Sequence, residues 1–195
     1  MKKVLVATIF AAASYSAVAG NVTAFTGLNY DRANSGQAFQ SQYELTVGAS
    51  LPTKLGAFDA ALMGTQLNSI GRDDTVGFEV GYSNGMNLGK INVVGRAAFG
   101  RMNQVDTTGG GFAGNAQYYS LSAEASTAIM KNVTGFVSFR HRNGLNADAP
   151  AYANRYAIGG QMALGKNTSV RLGYSHTRQA DQTFNGLVSS INYKF

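Results

Sequence analysis

From Val22 to the final Phe195, the chain keeps returning to one rhythm, an apolar residue followed by a small or polar one. A period of two belongs to the β-strand, whose successive side chains point to opposite faces. The clearest stretch runs from Phe39 to Leu51. Phe39, Ser41, Tyr43, Leu45, Val47, Ala49 and Leu51 fall on one face, and Gln40, Gln42, Glu44, Thr46, Gly48 and Ser50 on the other. Ten segments of this kind follow one another. The last sets Leu187, Ile191, Tyr193 and Phe195 against Gly186, Ser190, Asn192 and Lys194.

The connections alternate as well. Short ones (Pro52–Leu55, Asn84–Gly89, Met130–Asn132, Gly165–Asn167) take turns with longer ones (Asp31–Ala38, Asn68–Asp74, Asn103–Ala116, Asn143–Ala153, Arg178–Thr183). They are rich in Gly, Asn, Asp and Ser, the residues that turns require. This rhythm predicts an all-β, up-and-down antiparallel transmembrane β-barrel with short turns at one end and longer loops at the other. Ten strands are expected. Eight is the alternative count, because the third and eighth segments are the weakest.

A soluble sandwich also alternates. Here the polar face is built mainly from Gly, Ser, Thr, Gln and Asn, and only 13% of residues are charged. Aromatic residues gather toward the ends of the apolar face. Tyr30, Phe39, Phe99, Tyr119, Phe139 and Tyr156 lie toward the longer loops, and Phe58, Tyr82, Tyr193 and Phe195 toward the short turns. Two such girdles suit the two membrane–water interfaces. The start of the chain fits the same location. Lys2 and Lys3 precede an apolar stretch from Val4 to Ala13, and Ala17-Val18-Ala19 is a small-x-small site. Residues 1–19 therefore read as a cleaved secretory signal peptide and 20–195 as the barrel. The net charge of +6, of which Lys2 and Lys3 supply two, gives no footing for a nucleic-acid partner after export.

The terminal run Leu187-x-Ser189-x-Ile191-x-Tyr193-x-Phe195 resembles the C-terminal insertion signal of small bacterial outer-membrane β-barrel proteins of the OmpA/OmpX-like or small porin-like kind. The resemblance is one of pattern across residues 20–195. It implies an integral outer-membrane protein of a Gram-negative bacterium, inserted by the barrel-assembly machinery through Leu187, Ile191, Tyr193 and Phe195. It also implies contact with outer-membrane lipid and lipopolysaccharide.

The inward phase carries charges. Glu44, Asp59, Glu79 and Glu124 oppose Lys90, Arg96, Arg140, Arg142, Arg155, Arg171 and Lys194. Arg96 is expected to reach both Glu79 and Glu124 across neighbouring strands. The resulting ion-pair network either fills the lumen or lines a narrow path. With bases in excess, such a path should favour anions. Arg140, Arg142 and Arg155 are expected to adjoin at the outer mouth. Lysines Lys54, Lys90, Lys131, Lys166 and Lys194 sort to the periplasmic end. Arginines Arg32, Arg72, Arg101, Arg140, Arg142, Arg155 and Arg178 sort to the outer end, where lipid phosphates are one candidate contact.

Catalysis is not expected. Ser175 and His176 are sequence neighbours and so point to opposite faces. Asp73, Asp74, His176 and Asp181 supply the ingredients of an acid-and-histidine protease without its spacing. No cofactor or metal is expected, since the chain has no Cys and no closely spaced His pair. The functional expectation is a monomeric structural or narrow-pore, porin-like barrel with a weak anion preference. The alternative is a surface-interaction protein (adhesin, phage receptor or resistance factor) acting through its outer loops.

Overall fold

A computed structural model describes residues 22–33, 41–68, 74–105, 112–146, 153–179 and 182–195. The signal segment 1–19, Phe39, Arg72, Asp73 and Asp181 lie outside the described residues. Ten antiparallel strands follow in chain order: β1 (Thr23–Ala33), β2 (Ser41–Thr53), β3 (Gly56–Asn68), β4 (Thr75–Leu88), β5 (Ile91–Val105), β6 (Phe112–Met130), β7 (Val133–Gly144), β8 (Ala153–Ala163), β9 (Thr168–Gln179) and β10 (Gln182–Lys194). Each pairs with its sequence neighbours, and β1 pairs with β10 to close the barrel. The closing seam runs through eleven rungs, from Thr23 opposite Lys194 to Ala33 opposite Phe184. Closure leaves no strand edge to solvate.

The period-two pattern decides which side chains face out. Leu28, Leu62, Val80, Leu121, Val137, Ile158, Leu172 and Leu187 are all exposed on the outer surface. A contiguous apolar belt of this extent is far beyond what a soluble monomer presents, and it is the surface a bilayer requires. Rings bound the belt at both ends. Tyr30 meets Tyr43 at 4.9 Å and Phe139 meets Tyr156 at 5.1 Å toward the long-connection end. Phe58 meets Tyr82 at 5.0 Å and Tyr193 meets Phe195 at 4.8 Å toward the short-turn end.

Several strands run further than the alternation alone suggests. β4 continues to Leu88, which pairs with Ile91, so the turn is only Gly89-Lys90 and not Asn84–Gly89. Gly89 has φ 63°, the left-handed backbone that a two-residue hairpin turn demands. The expected Asn103–Ala116 loop is mostly strand, because pairing continues out to Val105 opposite Phe112. The register shifts between Met102 and Gln104 there, opposite Gly114 with φ 75°. A bulge of this kind twists the hairpin as it leaves the wall. The Arg178–Thr183 connection is also short, with Gln179 pairing directly with Gln182. Asp31 belongs to β1 and not to a loop.

The outward belt yields a depth-dependent prediction. Ile158→Arg, at a site 60% exposed in the middle of the belt, should lower unfolding free energy in lipid vesicles by about 2–4 kcal/mol. Gln66→Arg, on the same face at the long-connection rim, should cost about 0–1 kcal/mol. Urea titration followed by the folded-barrel gel shift measures both. Equal costs would mean the belt is not set in hydrocarbon.

Candidate functional site: the charged lumen

The inner face is organised by large side chains lying over neighbouring glycines. A Cβ on Gly100 would fall 2.2 Å from the Tyr118 ring, and one on Gly48 2.5 Å from the Phe25 ring. Gly159 and Gly173 together make the seat of Phe136, whose ring lies 2.8 and 2.9 Å from where their Cβ atoms would be. Gly81 does the same for a charge, since its Cβ would sit 2.6 Å from the Arg96 guanidinium. These five glycines of the polar face are thus slots, each emptied so that a neighbour can cross it.

The slot at Gly81 decides where Arg96 goes. Arg96 on β5 is opposite Ser83 on β4, and Gly81 on β4 is opposite Asp59 on β3. The guanidinium passes over Gly81 and grips Asp59 in a bidentate fashion, with Nε donating to Oδ2 at 2.9 Å and Nη2 to Oδ1. Nη1 donates to Glu79 Oε1 at 2.6 Å. The expected Arg96–Glu124 pair is not made. Glu124 reaches across the lumen to Arg171 at 2.7 Å, and the Arg171 guanidinium lies 3.4 Å above the Phe136 ring. The open slot on the β4 side, absent on the β6 side where Arg96 faces Ser122, accounts for the difference.

Glu44 is the hub of the half toward the long connections. Asn29 donates to it at 2.8 Å, and Arg155, Arg142 and Arg140 approach to 3.5, 3.6 and 3.7 Å. Arg155 also binds Asp31 at 2.5 Å and donates to Thr177 Oγ1 at 3.1 Å. Ser175 donates to the other Asp31 oxygen at 3.1 Å. Arg142 extends toward Glu79 at 3.8 Å and lies 4.5 Å over the Tyr118 ring. Tyr118 in turn donates to the Met63 sulfur at 3.7 Å. The pairs form one connected chain of charges, Asp31–Arg155–Glu44–Arg142–Glu79–Arg96–Asp59. Arg140, Arg142 and Arg155 do adjoin, but Arg142 and Arg155 sit inside a packed layer and not at an open mouth. Lys90 lies in a turn and not on the inner wall; Lys54, Lys131 and Lys166 also occupy short turns.

The lumen is therefore unequal along its length. Toward the long connections, Asp31, Glu44, Met63, Glu79, Tyr118, Ser120, Arg155, Ser175, Thr177 and Phe184 are all buried. Toward the short turns the inner face is smaller and hollow. A cavity of about 580 Å³ is lined by Arg96, Ser122, Glu124, Ser138, Arg140 and Arg171, among others. A second, of about 480 Å³, lies at the short-turn mouth beside Lys166, Ser169, Asn192 and Lys194. Both share Arg171, Ser190 and Asn192 as lining.

Sequence reasoning missed Asp31, Asp59 as the partner of Arg96, and the ring beds at Tyr118 and Phe136. The signal for Asp31 was present: Phe25, Gly27, Asn29 and Asp31 continue one phase of β1. The histidines face the other way. His141 Nδ1 bonds Asn154 Oδ1 at 2.7 Å and His176 Nδ1 bonds Asn185 Oδ1 at 2.8 Å, both on the outer surface. The barrel wall separates His176 from Ser175.

Removing the central cation should be costly. Arg96→Ala leaves Asp59 without its bidentate partner and should destabilise the barrel by about 3–5 kcal/mol. Gly81→Ala should show part of the same loss with Arg96 untouched, because the new Cβ fills the slot. Glu124→Gln, in a pair that is partly exposed, should cost about 0–1 kcal/mol. Urea midpoints of the three variants in one lipid measure this order. A Gly81→Ala barrel as stable as the parent would mean the slot is not needed.

No protein-family model matches the chain, and no curated protein matches it either. Solved structures do. An outer membrane channel from Pseudomonas putida F1 superposes with a TM-score of 0.57 at 7% identity, covering 90% of this chain and 96% of that one. The translocator domain of the autotransporter NalP from Neisseria meningitidis gives 0.53 at 12% identity, covering 100% and 96%. The NanC porin gives 0.51 at 11% identity, covering 87% and 100%. At these identities the likeness concerns the fold, and that fold is the bacterial outer-membrane β-barrel.

Proposed function

We propose that the protein is a monomeric, non-catalytic, porin-like structural barrel of the outer membrane whose lumen is shut by its own ion-pair network. The short turns face the periplasm and the long connections face outside, after export directed by residues 1–19. The single observation behind this reading is the unequal lumen, packed in one half and hollow in the other. Small ions pass only when the packed layer yields. On the inner face of the strands, five carboxylates (Asp31, Glu44, Asp59, Glu79, Glu124) stand against six cations (Arg96, Arg140, Arg142, Arg155, Arg171, Lys194). This near balance supports only a weak anion preference, less than a base-rich lumen would give.

A second reading rests on the β5–β6 hairpin, whose pairing continues past the Phe99–Tyr119 rung to Val105 and Phe112. A ladder carried beyond the girdle would present its tip as a contact surface for another cell or particle. Trimming the hairpin at Met102 and Ala116, with cell or phage binding as the readout, tests it.

Single-channel recording tests the leading reading. The parent barrel, shown to be folded and inserted, should give no steady current, only brief small openings that favour anions under a salt gradient. The double variant Tyr118→Ala/Arg142→Ala removes the centre of the packed layer and should conduct steadily. Large steady steps from the parent would contradict the reading.

A further inference from the structure

Under the proposed function the hollow half of the lumen is a blind pocket, and the inference drawn from it rests on that reading. Inward, the hollow stops against the layer that holds Glu44 and Tyr118, both buried. At the other end it opens between the short turns. The cavity there is lined by Gln161, Lys166, Asn167, Ser169, Arg171 and Lys194, among others, and by no Asp or Glu. Arg171, Ser190 and Asn192 belong to both cavities, so one hollow runs from the two lysines inward.

Every carboxylate bordering the larger cavity is already paired. Arg96 binds Asp59 and Glu79, and Arg171 binds Glu124. Arg155 is committed to Asp31. Arg140 is left over. Its nearest carboxylate oxygen is Glu44 Oε1 at 3.7 Å, beyond hydrogen-bond reach, and Arg155 and Arg142 stand closer to Glu44. The Arg140 side chain is 28% exposed, against 9, 12, 22 and 23% for Arg155, Arg142, Arg171 and Arg96. That open surface lies in the cavity wall. Ser122 stands opposite Arg140 on β6, Ser138 lies on the same face of β7, and Ser190 faces the same hollow from β10. Among the described residues none of these three hydroxyls has a protein partner. One guanidinium and three hydroxyls, all with bonding capacity to spare, thus border one space.

We propose that this pocket binds a small hydroxylated monocarboxylate admitted from the short-turn end. A planar carboxylate matches the fork of the Arg140 guanidinium with two parallel bonds. A single uncommitted guanidinium suits a single negative charge. Hydroxyls on the ligand meet Ser122, Ser138 and Ser190. Lys166 and Lys194 draw an anion toward the mouth. The cavity of about 580 Å³ has the size of a small-molecule site. The ligand leaves by the mouth it entered, so binding needs no conduction.

The test uses the full-length barrel in phosphatidylcholine nanodiscs, with D-gluconate as the probe and titration calorimetry as the readout. Gluconate should bind saturably. Glucitol keeps the hydroxyls without the carboxylate, and butyrate keeps the carboxylate without the hydroxyls. Each should bind about tenfold more weakly. Arg140→Gln should weaken gluconate about tenfold and Ser138→Ala about threefold. Ser138→Phe fills the hollow without removing a charge and should abolish binding. Arg178→Gln, on the outer surface, should leave it unchanged. Glucitol binding as tightly as gluconate, or an Arg140→Gln barrel that binds like the parent, would overturn the proposal. Butyrate binding as tightly as gluconate would overturn the hydroxyl assignment. A charged thiol reagent on Ser190→Cys separates the two levels of failure. Access from the short-turn side without gluconate binding would refute only this site. Access from the long-connection side, or from neither side, would refute the proposed lumen itself.

Discussion

In hydrocarbon no water is present to bond a free N–H or C=O, so every backbone group must find its partner within the wall. That requirement makes β1 meet β10, and the rest of the molecule follows from the meeting. Closure tilts the strands and staggers their side chains, which sets who faces whom across the lumen. It confines the apolar residues to the outside and the polar ones to the inside. It also leaves an interior too narrow for ten strands of large side chains. The polar face is accordingly built on Gly, Ala and Ser, with a few large residues that each lie across a neighbour's glycine.

Charges in such an interior are costly alone and tolerable in company. A buried ion pair offsets desolvation only if its geometry is good and its remaining oxygens and protons are satisfied. The lumen approaches that condition by sharing, with Glu79 Oε2 and Arg142 Nε left without a hydrogen-bond partner. Glu44 is approached by three arginines and one amide, and Arg96 holds two carboxylates at once. Replacing any one member leaves several others short. The network is thus a brace across the barrel, and under the proposed function it is a stopper as well. Its position in one half only leaves the other half hollow and open toward the short turns.

Much of this was legible in the sequence because alternation is a local signal. The ten strands, the apolar belt and both girdles follow from residue phase alone, and so does the inward orientation of Glu44, Glu79, Arg96, Glu124, Arg140, Arg142, Arg155 and Arg171. Partners across the lumen were not legible. Arg96 finds Asp59 two strands away through the slot at Gly81, and Glu124 finds Arg171 three strands away, past β7 and β8. These choices depend on the stagger imposed by closure, which no single hairpin encodes. Strand ends were misread for a related reason. Gly, Asn and Ser mark turns in water, yet in β4 they continue the ladder, because Asn84 and Asn87 stand opposite Gly95 and Asn92 on a wall that pairing already holds.

The proposed function requires a lumen closed at the long-connection end and hollow at the short-turn end. The chain has no cysteine, so single cysteines can report access without background. Ser138→Cys and Ser190→Cys line the cavity, and Ser175→Cys lies in the packed layer at 0% exposure. A charged, membrane-impermeant thiol reagent should modify the first two only from the short-turn side and the third from neither side. Modification of Ser138→Cys from the outside would contradict the account.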